Sequence, residues 1–240
     1  MSESSSPRRR APTDTGFSSN AAAVDPDNGN WFSSDYTQGS RPQSAPTEYN
    51  CFGGSWDSFP SLEDWVSLDT LYELNSHDLN LGKTSDQVQM IKDAIEGVAL
   101  DSRVDARFIF SVMMQESHAN LDVPCTGNGN CGLMQAGVGS VSYDDSNPAT
   151  SIRQMIEDGV YGTAETPGLV NYLNNEAPWA DDPQPGNPFT AARCYNSGSV
   201  DPSGDLNSAR FGVQEYVNDI ANRLVGWGSG NESPFEQTCR

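Results

Sequence analysis

The chain has 240 residues, enough for one well-packed domain with a tail but too few for two large domains. Its 33 acidic residues against 13 basic ones set a formal charge of −20, which repels phosphate backbones and anionic membrane surfaces and argues against nucleic acid as a partner. No run of roughly 18 apolar residues occurs, so no membrane-spanning helix is expected.

Residues 1 to 48 are rich in Ser, Pro, Asn, Asp, Gly and Gln, and Trp31, Phe32 and Tyr36 follow neither a helical nor a strand period. The composition predicts a disordered tail, in which Arg8, Arg9 and Arg10 read as solvated charge before they read as a processing or address signal. The first residues lack the apolar stretch of a signal peptide. Against that, an acidic composition with only 19% charged residues and many Gly, Ser, Asn and Thr is common among secreted enzymes, and a secreted, extracellular protein is the expectation.

One domain is expected over residues 49–240, with residues 49–80 as a helical cap. Between Asn50 and Ser76, the residues Trp56, Phe59, Leu62, Trp65, Leu68, Leu71 and Leu74 keep close to a three-and-four spacing after Pro60. This predicts a loop and one or two short helices packed on a core. Ser85 opens a helix running to Leu100, with Asp86 in its first turn and Val88, Ile91, Ile95 and Val98 on one face. A second helix is predicted over 101–117, because Val104, Phe108 and Val112 recur at four-residue steps. Further helices are predicted over 151–158, 167–174, 189–195 and 214–227. The strand signal is weak throughout, so the fold class is mainly α.

Five cysteines occur, with no CxxC pair and only His77 and His118 as histidines, which argues against a structural zinc site. Cys125 and Cys131 flank a Gly/Asn-rich stretch short enough to bring them to bonding distance, and a local disulfide is preferred over two reduced thiols. Of Cys51, Cys194 and Cys239, at most two pair within the chain; Cys51 with Cys239 is the expected pair. No metal or cofactor is expected.

Glu116 extends the apolar row of Val104, Phe108 and Val112, and CTGNGNCG beyond it cannot hold a helix, so the glutamate stands in a last helical turn facing a glycine-rich loop. An apolar surrounding and the negative end of the helix dipole both favour the protonated carboxyl, so its pKa should be raised. Glycosidic cleavage needs such a proton for the leaving sugar oxygen. The competing reading is structural: a helix-end cap, or an ion pair with Arg107 or Arg153.

The segment MQESHAN at 114–120, then GNGNCGLMQ at 127–135, then AARCYNSGS at 191–199, resembles glycoside hydrolase family 23, the lytic transglycosylases and goose-type lysozymes. The order Glu-Ser, Gly-Leu-Met-Gln, Tyr-Asn-x-Gly is jointly specific where each motif alone is weak. FPSLEDWVSLDTLYELN and the closing YVNDIANRLVGW also look like a fungal branch of that family, so the resemblance covers about residues 50–227. It implies a lysozyme-like α domain with a substrate cleft between helices, acting on a polysaccharide, peptidoglycan or chitin, with Glu116 as general acid. By the same resemblance Ser117 would hydrogen-bond near that carboxyl. Gly132, Leu133, Met134 and Gln135 would line the cleft floor, and Tyr195 and Asn196 would approach the sugar. Core packing is the alternative for Met134 and Tyr195. His118, two residues from Glu116, is expected to shape the loop and not to act in the chemistry. A monomer is expected.

The chain departs from the goose-type pattern at two places. Aspartates that position the attacking water in those lysozymes would fall near Cys125 or Thr126 and at Gly137, none of them acidic. Asp122, Asp144 and Asp145 are the candidates for a second carboxylate. An inverting hydrolase needs one at about 6.5 to 9.5 Å from the acid. Without one, a single carboxyl serves a lyase that forms a 1,6-anhydro sugar; the Glu-Ser-His and Gly-Asn-Gly matches tilt the reading towards hydrolysis, as a muramidase. Peptidoglycan is the expected substrate and chitin the alternative, since both carry β-1,4 links and N-acetyl groups. Two readings of other classes stand beside these: a sugar-binding protein without turnover, and an interaction protein using exposed aromatics between Trp31 and Trp65.

Overall fold

The structure, a computed structural model, describes residues 22–37, 48–127, 129–177, 183–228 and 233–239. It is mainly helical, and its extended pairings among the described residues are three isolated bridges. The α-helices are α1 (Leu68–Leu74), α2 (Ser76–Asn80), α3 (Ser85–Ser102), α4 (Ala106–Ser117), α5 (Pro148–Tyr161), α6 (Leu169–Leu173), α7 (Pro188–Ser197), α8 (Tyr216–Leu224) and α9 (Phe235–Thr238).

The predicted helix at Ser85 forms and is closed at its start by a reciprocal cap. Thr84 Oγ1 accepts from the Gln87 amide at 3.2 Å, and Gln87 Oε1 accepts from the Thr84 amide at 2.8 Å. The next helix begins at Ala106 and not at Asp101 as predicted. Arg103 takes a left-handed conformation (φ 58°) that breaks the run, and Asp105 restarts it by accepting from the Arg107 amide at 3.0 Å. The remaining helices form where the apolar spacing placed them, with ends shifted by one to three residues. The four-residue α9 was not expected.

Helix α4 is the centre of the fold. Every residue from Ala106 to Met114 is buried, and the helix packs against α1, α3 and α8. An all-round apolar sequence such as ARFIFSVMM suits a helix enclosed on every side. Its Arg107 is matched by Asp105, with Nε to Oδ1 and Nη2 to Oδ2 both at 2.9 Å, and by the ring of Trp65 at 5.2 Å.

The expectation of disorder from 1 to 48 is corrected for residues 22–37, which pack onto the domain as a strap. Trp31 lies 5.8 Å from Trp65 and 5.9 Å from Phe189, Val24 is buried, and the Val24 amide donates to the Ser102 carbonyl at 2.8 Å. A strap anchors through isolated side chains in pockets, so it needs no period in its sequence. Trp31 and Trp65 therefore serve the core and are no exposed docking surface. Arg8, Arg9 and Arg10 lie outside the described residues. Cys125–Cys131 and Cys51–Cys239 are disulfides, and Cys194 is buried outside both. No helix among the described residues is long and apolar enough to cross a membrane.

Candidate active site

Glu116 stands in the last turn of α4. Directly after it, His118 (φ 51°) and Ala119 (φ 56°) are both left-handed, so the helix stops within two residues and the chain turns into the 120–141 loop. The glutamate is partly exposed. Arg107 and Arg153 are engaged elsewhere: Arg107 with Asp105, and Arg153 with Asp101 and Glu157. Burial pushes the Glu116 carboxyl up to about pKa 7, against the lowering effect of a hydrogen bond from Tyr216.

That hydrogen bond comes from α8. Tyr216 Oη donates to Glu116 Oε1 at 2.5 Å, and no described residue donates to Oε2, which keeps contact with solvent. Because Oε1 accepts from Tyr216, the proton of the neutral acid belongs on Oε2, the oxygen left for an incoming group. Tyr195, from α7, donates to the Met134 carbonyl at 2.8 Å. Burial, then the neighbouring Glu116, hold both tyrosines well above their ordinary pKa, so both remain donors. Arg193, one turn before Asn196, stacks its guanidinium 5.9 Å from the Tyr216 ring and is lowered to about pKa 10 by burial.

Among the described residues, no group of three His, Cys, Asp or Glu side chains is placed to hold a metal ion. A small cavity lined by Val24, Trp31, Phe108 and Leu173 lies beneath the 22–32 strap, away from Glu116, and belongs to the packing of that strap.

Comparison with known protein families, with curated proteins and with solved structures finds no match.

Three of the sequence-predicted residues come together: Glu116, Tyr195 and, through its carbonyl, Met134. The others hold the frame. Ser117 Oγ donates back to the Met113 carbonyl at 3.2 Å in place of a bond near the acid. Leu133 and Met134 have fully buried side chains. Gln135 is buried, donating to the Gly132 carbonyl at 3.0 Å and accepting from Thr126 at 2.8 Å, so its amide is spent inside the loop. Gly132 (φ 71°) is needed because a Cβ there would meet the Val141 carbonyl at 2.5 Å; its close approach is to the chain itself. Asn196 Oδ1 accepts from Arg193 at 2.5 Å and from the Val213 amide at 2.7 Å, and so anchors the 200–215 loop.

None of the three candidate second carboxylates is hydrogen-bonded to Glu116 among the described residues. Asp122 is exposed. Asp144 is exposed and held low by hydrogen bonds from Ser146 and Asn147, and Asp145 accepts from Tyr143 at 3.3 Å. No carboxylate contributes to the shift of Glu116. At Gly137 a Cβ would strike Thr166 Oγ1 at 2.3 Å, so this position has no room for a side chain. His118 faces Asp78 at 3.5 Å and is lowered mainly by burial. Tyr216 was missed by the sequence reading. The one available signal was a tyrosine at the polar start of a strongly amphipathic helix, a position that propensity does not explain.

Proposed function

We propose that this chain cleaves the β-1,4 bond between N-acetylmuramic acid and N-acetylglucosamine in peptidoglycan, with Glu116 as general acid on a lysozyme-like domain of the glycoside hydrolase family 23 kind. The observation that carries the reading is a carboxyl raised to about pKa 7 at the end of a buried helix, with one oxygen held by Tyr216 and the other free to deliver its proton. The order of the Glu-Ser, Gly-Leu-Met-Gln and Tyr-Asn-x-Gly motifs supports it. The two disulfides fit an oxidising, extracellular setting.

Between hydrolysis and the anhydro-forming route, the lack of an acidic residue at Cys125, Thr126 and Gly137 favours the second. Glu116 would protonate the leaving oxygen and then, as carboxylate, take the proton from the sugar's own 6-hydroxyl while that oxygen closes on the anomeric carbon. The chain then needs one carboxyl and no placed water. Chitin cleavage by the same acid, and sugar binding without turnover, are the alternatives.

Incubation with insoluble peptidoglycan and, separately, with chitin oligomers, followed by mass spectrometry of the soluble products, tests all of these. Fragments lighter than the hydrolytic ones by one water mean ring closure. Reducing-end fragments mean water attack. Glu116→Gln keeps the shape and removes the proton, and turnover that survives it would refute the assignment.

A further inference from the structure

The loop between α7 and α8 is pinned from within. Arg193 Nη1 donates to the Leu206 carbonyl at 3.1 Å and Nη2 to the Val213 carbonyl at 2.8 Å, while the Val213 amide donates to Asn196. A buried guanidinium and an asparagine, flanking Tyr195 in sequence, thus fix a loop that ends at Tyr216. At its tip the loop exposes apolar surface: Phe211 is 48% exposed and Val213 42%. The Arg210 guanidinium lies over the Phe211 ring at 5.5 Å, is exposed, and forms no ion pair among the described residues, although the chain carries 33 acidic side chains. Phe211 joins no aromatic pair among the described residues. An ordered loop that presents an aromatic ring and an unpaired cation, anchored on the helix ends that bring Tyr195 and Tyr216 to Glu116, has the makings of a binding subsite.

We propose that Arg210 and Phe211 form a subsite for a carboxylate-bearing amino sugar of the polymer chain. This rests on the reading of Glu116 given above and adds a reason for preferring an acidic polymer to neutral chitin. The apolar face of a pyranose ring packs on the open part of Phe211, and the sugar's carboxylate meets the planar guanidinium, which suits two-point contact. A local cation at the rim also offsets the repulsion that a chain of net charge −20 exerts on an anionic polymer.

Co-sedimentation of the full-length protein with insoluble peptidoglycan and with chitin, at low and moderate salt, tests the proposal through Arg210→Gln and Phe211→Ala. Both residues are exposed, and thermal melts check that the variants stay folded. Arg210→Gln should weaken binding to peptidoglycan by about threefold at low salt, with the difference closing as salt is added and chitin binding unchanged. Phe211→Ala should weaken binding to both polymers by about three- to tenfold. Peptidoglycan binding by Arg210→Gln equal to wild type, or an equal loss on both polymers, overturns the subsite. Turnover by wild type and by Glu116→Gln is measured in parallel. Turnover that depends on Glu116, with unchanged binding by Arg210→Gln, sinks the subsite alone; no binding and no turnover on either polymer sinks both.

Discussion

Glu116 releases its proton near pH 7 in the folded chain and near 4.5 in the unfolded one, so between those values the native state holds a proton that the unfolded state has lost. Its contribution to stability is therefore full below pH 4.5 and falls as pH rises through 7, by on the order of 3 kcal/mol. Glu116→Gln removes that dependence. Urea unfolding at about pH 4 and about pH 8 should show the variant gaining on wild type at the higher pH, and parallel curves would mean that the carboxyl is not shifted. In the proposed reaction the acid must be protonated before bond cleavage, so kcat/KM should fall as pH rises through about 7. Tyr216→Phe takes away the one hydrogen bond that lowers the Glu116 pKa, so the basic limb of that profile should move to higher pH. A lower rate with an unmoved limb would leave Tyr216 a packing residue. This pair was half legible in the sequence: burial of Glu116 follows from the four-residue row before it, but its partner lies 100 residues away, and no local pattern reports that contact.

At the scale of elements, α4 and α8 are joined beside the acid by Asp219. Its Oδ2 accepts from Gln115, the neighbour of Glu116, at 3.1 Å, and its Oδ1 accepts from Tyr49 and, at 2.6 Å, from Ser233. Asp219→Ala strands three donors in a partly buried site and should cost about 2 to 4 kcal/mol, read as a lower urea midpoint with an unchanged slope. Asp219→Asn keeps the shape and two acceptor lone pairs, and should restore part of the loss. If the two variants unfold alike at wild-type stability, the junction carries no energy. Helices such as α3 and α5 were visible because one face is buried and the other wet, which writes a period of 3.6 into the residues. The strap at 22–37 was not visible, since its anchors Val24, Trp31 and Tyr36 each fill a separate place in the core. The same holds for the 48–52 segment, whose Asn50 and Phe52 amides donate to the Asn222 and Asn218 side chains, both at 2.7 Å. Asparagine on a buried helix face looks like a poor helix former until the extended segment it serves is present.

For the molecule as a whole, the two disulfides close loops of very different size. Cys51 and Cys239 are separated by 188 positions and Cys125 and Cys131 by 6. If the cross-link acts by restricting the unfolded chain, the first is worth about 5 kcal/mol and the second about 2 kcal/mol. The long one also ties the 48–52 segment to the chain end that brings Ser233 to Asp219, so its removal loosens the α8 side of the site. The short one holds only the loop in which Thr126 meets Gln135. A Cys51→Ser/Cys239→Ser double variant should therefore lose more stability than Cys125→Ser/Cys131→Ser in calorimetry, while the short-loop variant, with the smaller drop in midpoint, should lose more turnover per unit of stability lost. The opposite ranking of midpoints would mean that the 120–141 loop, and not the closure of the chain ends, is what the native state most depends on.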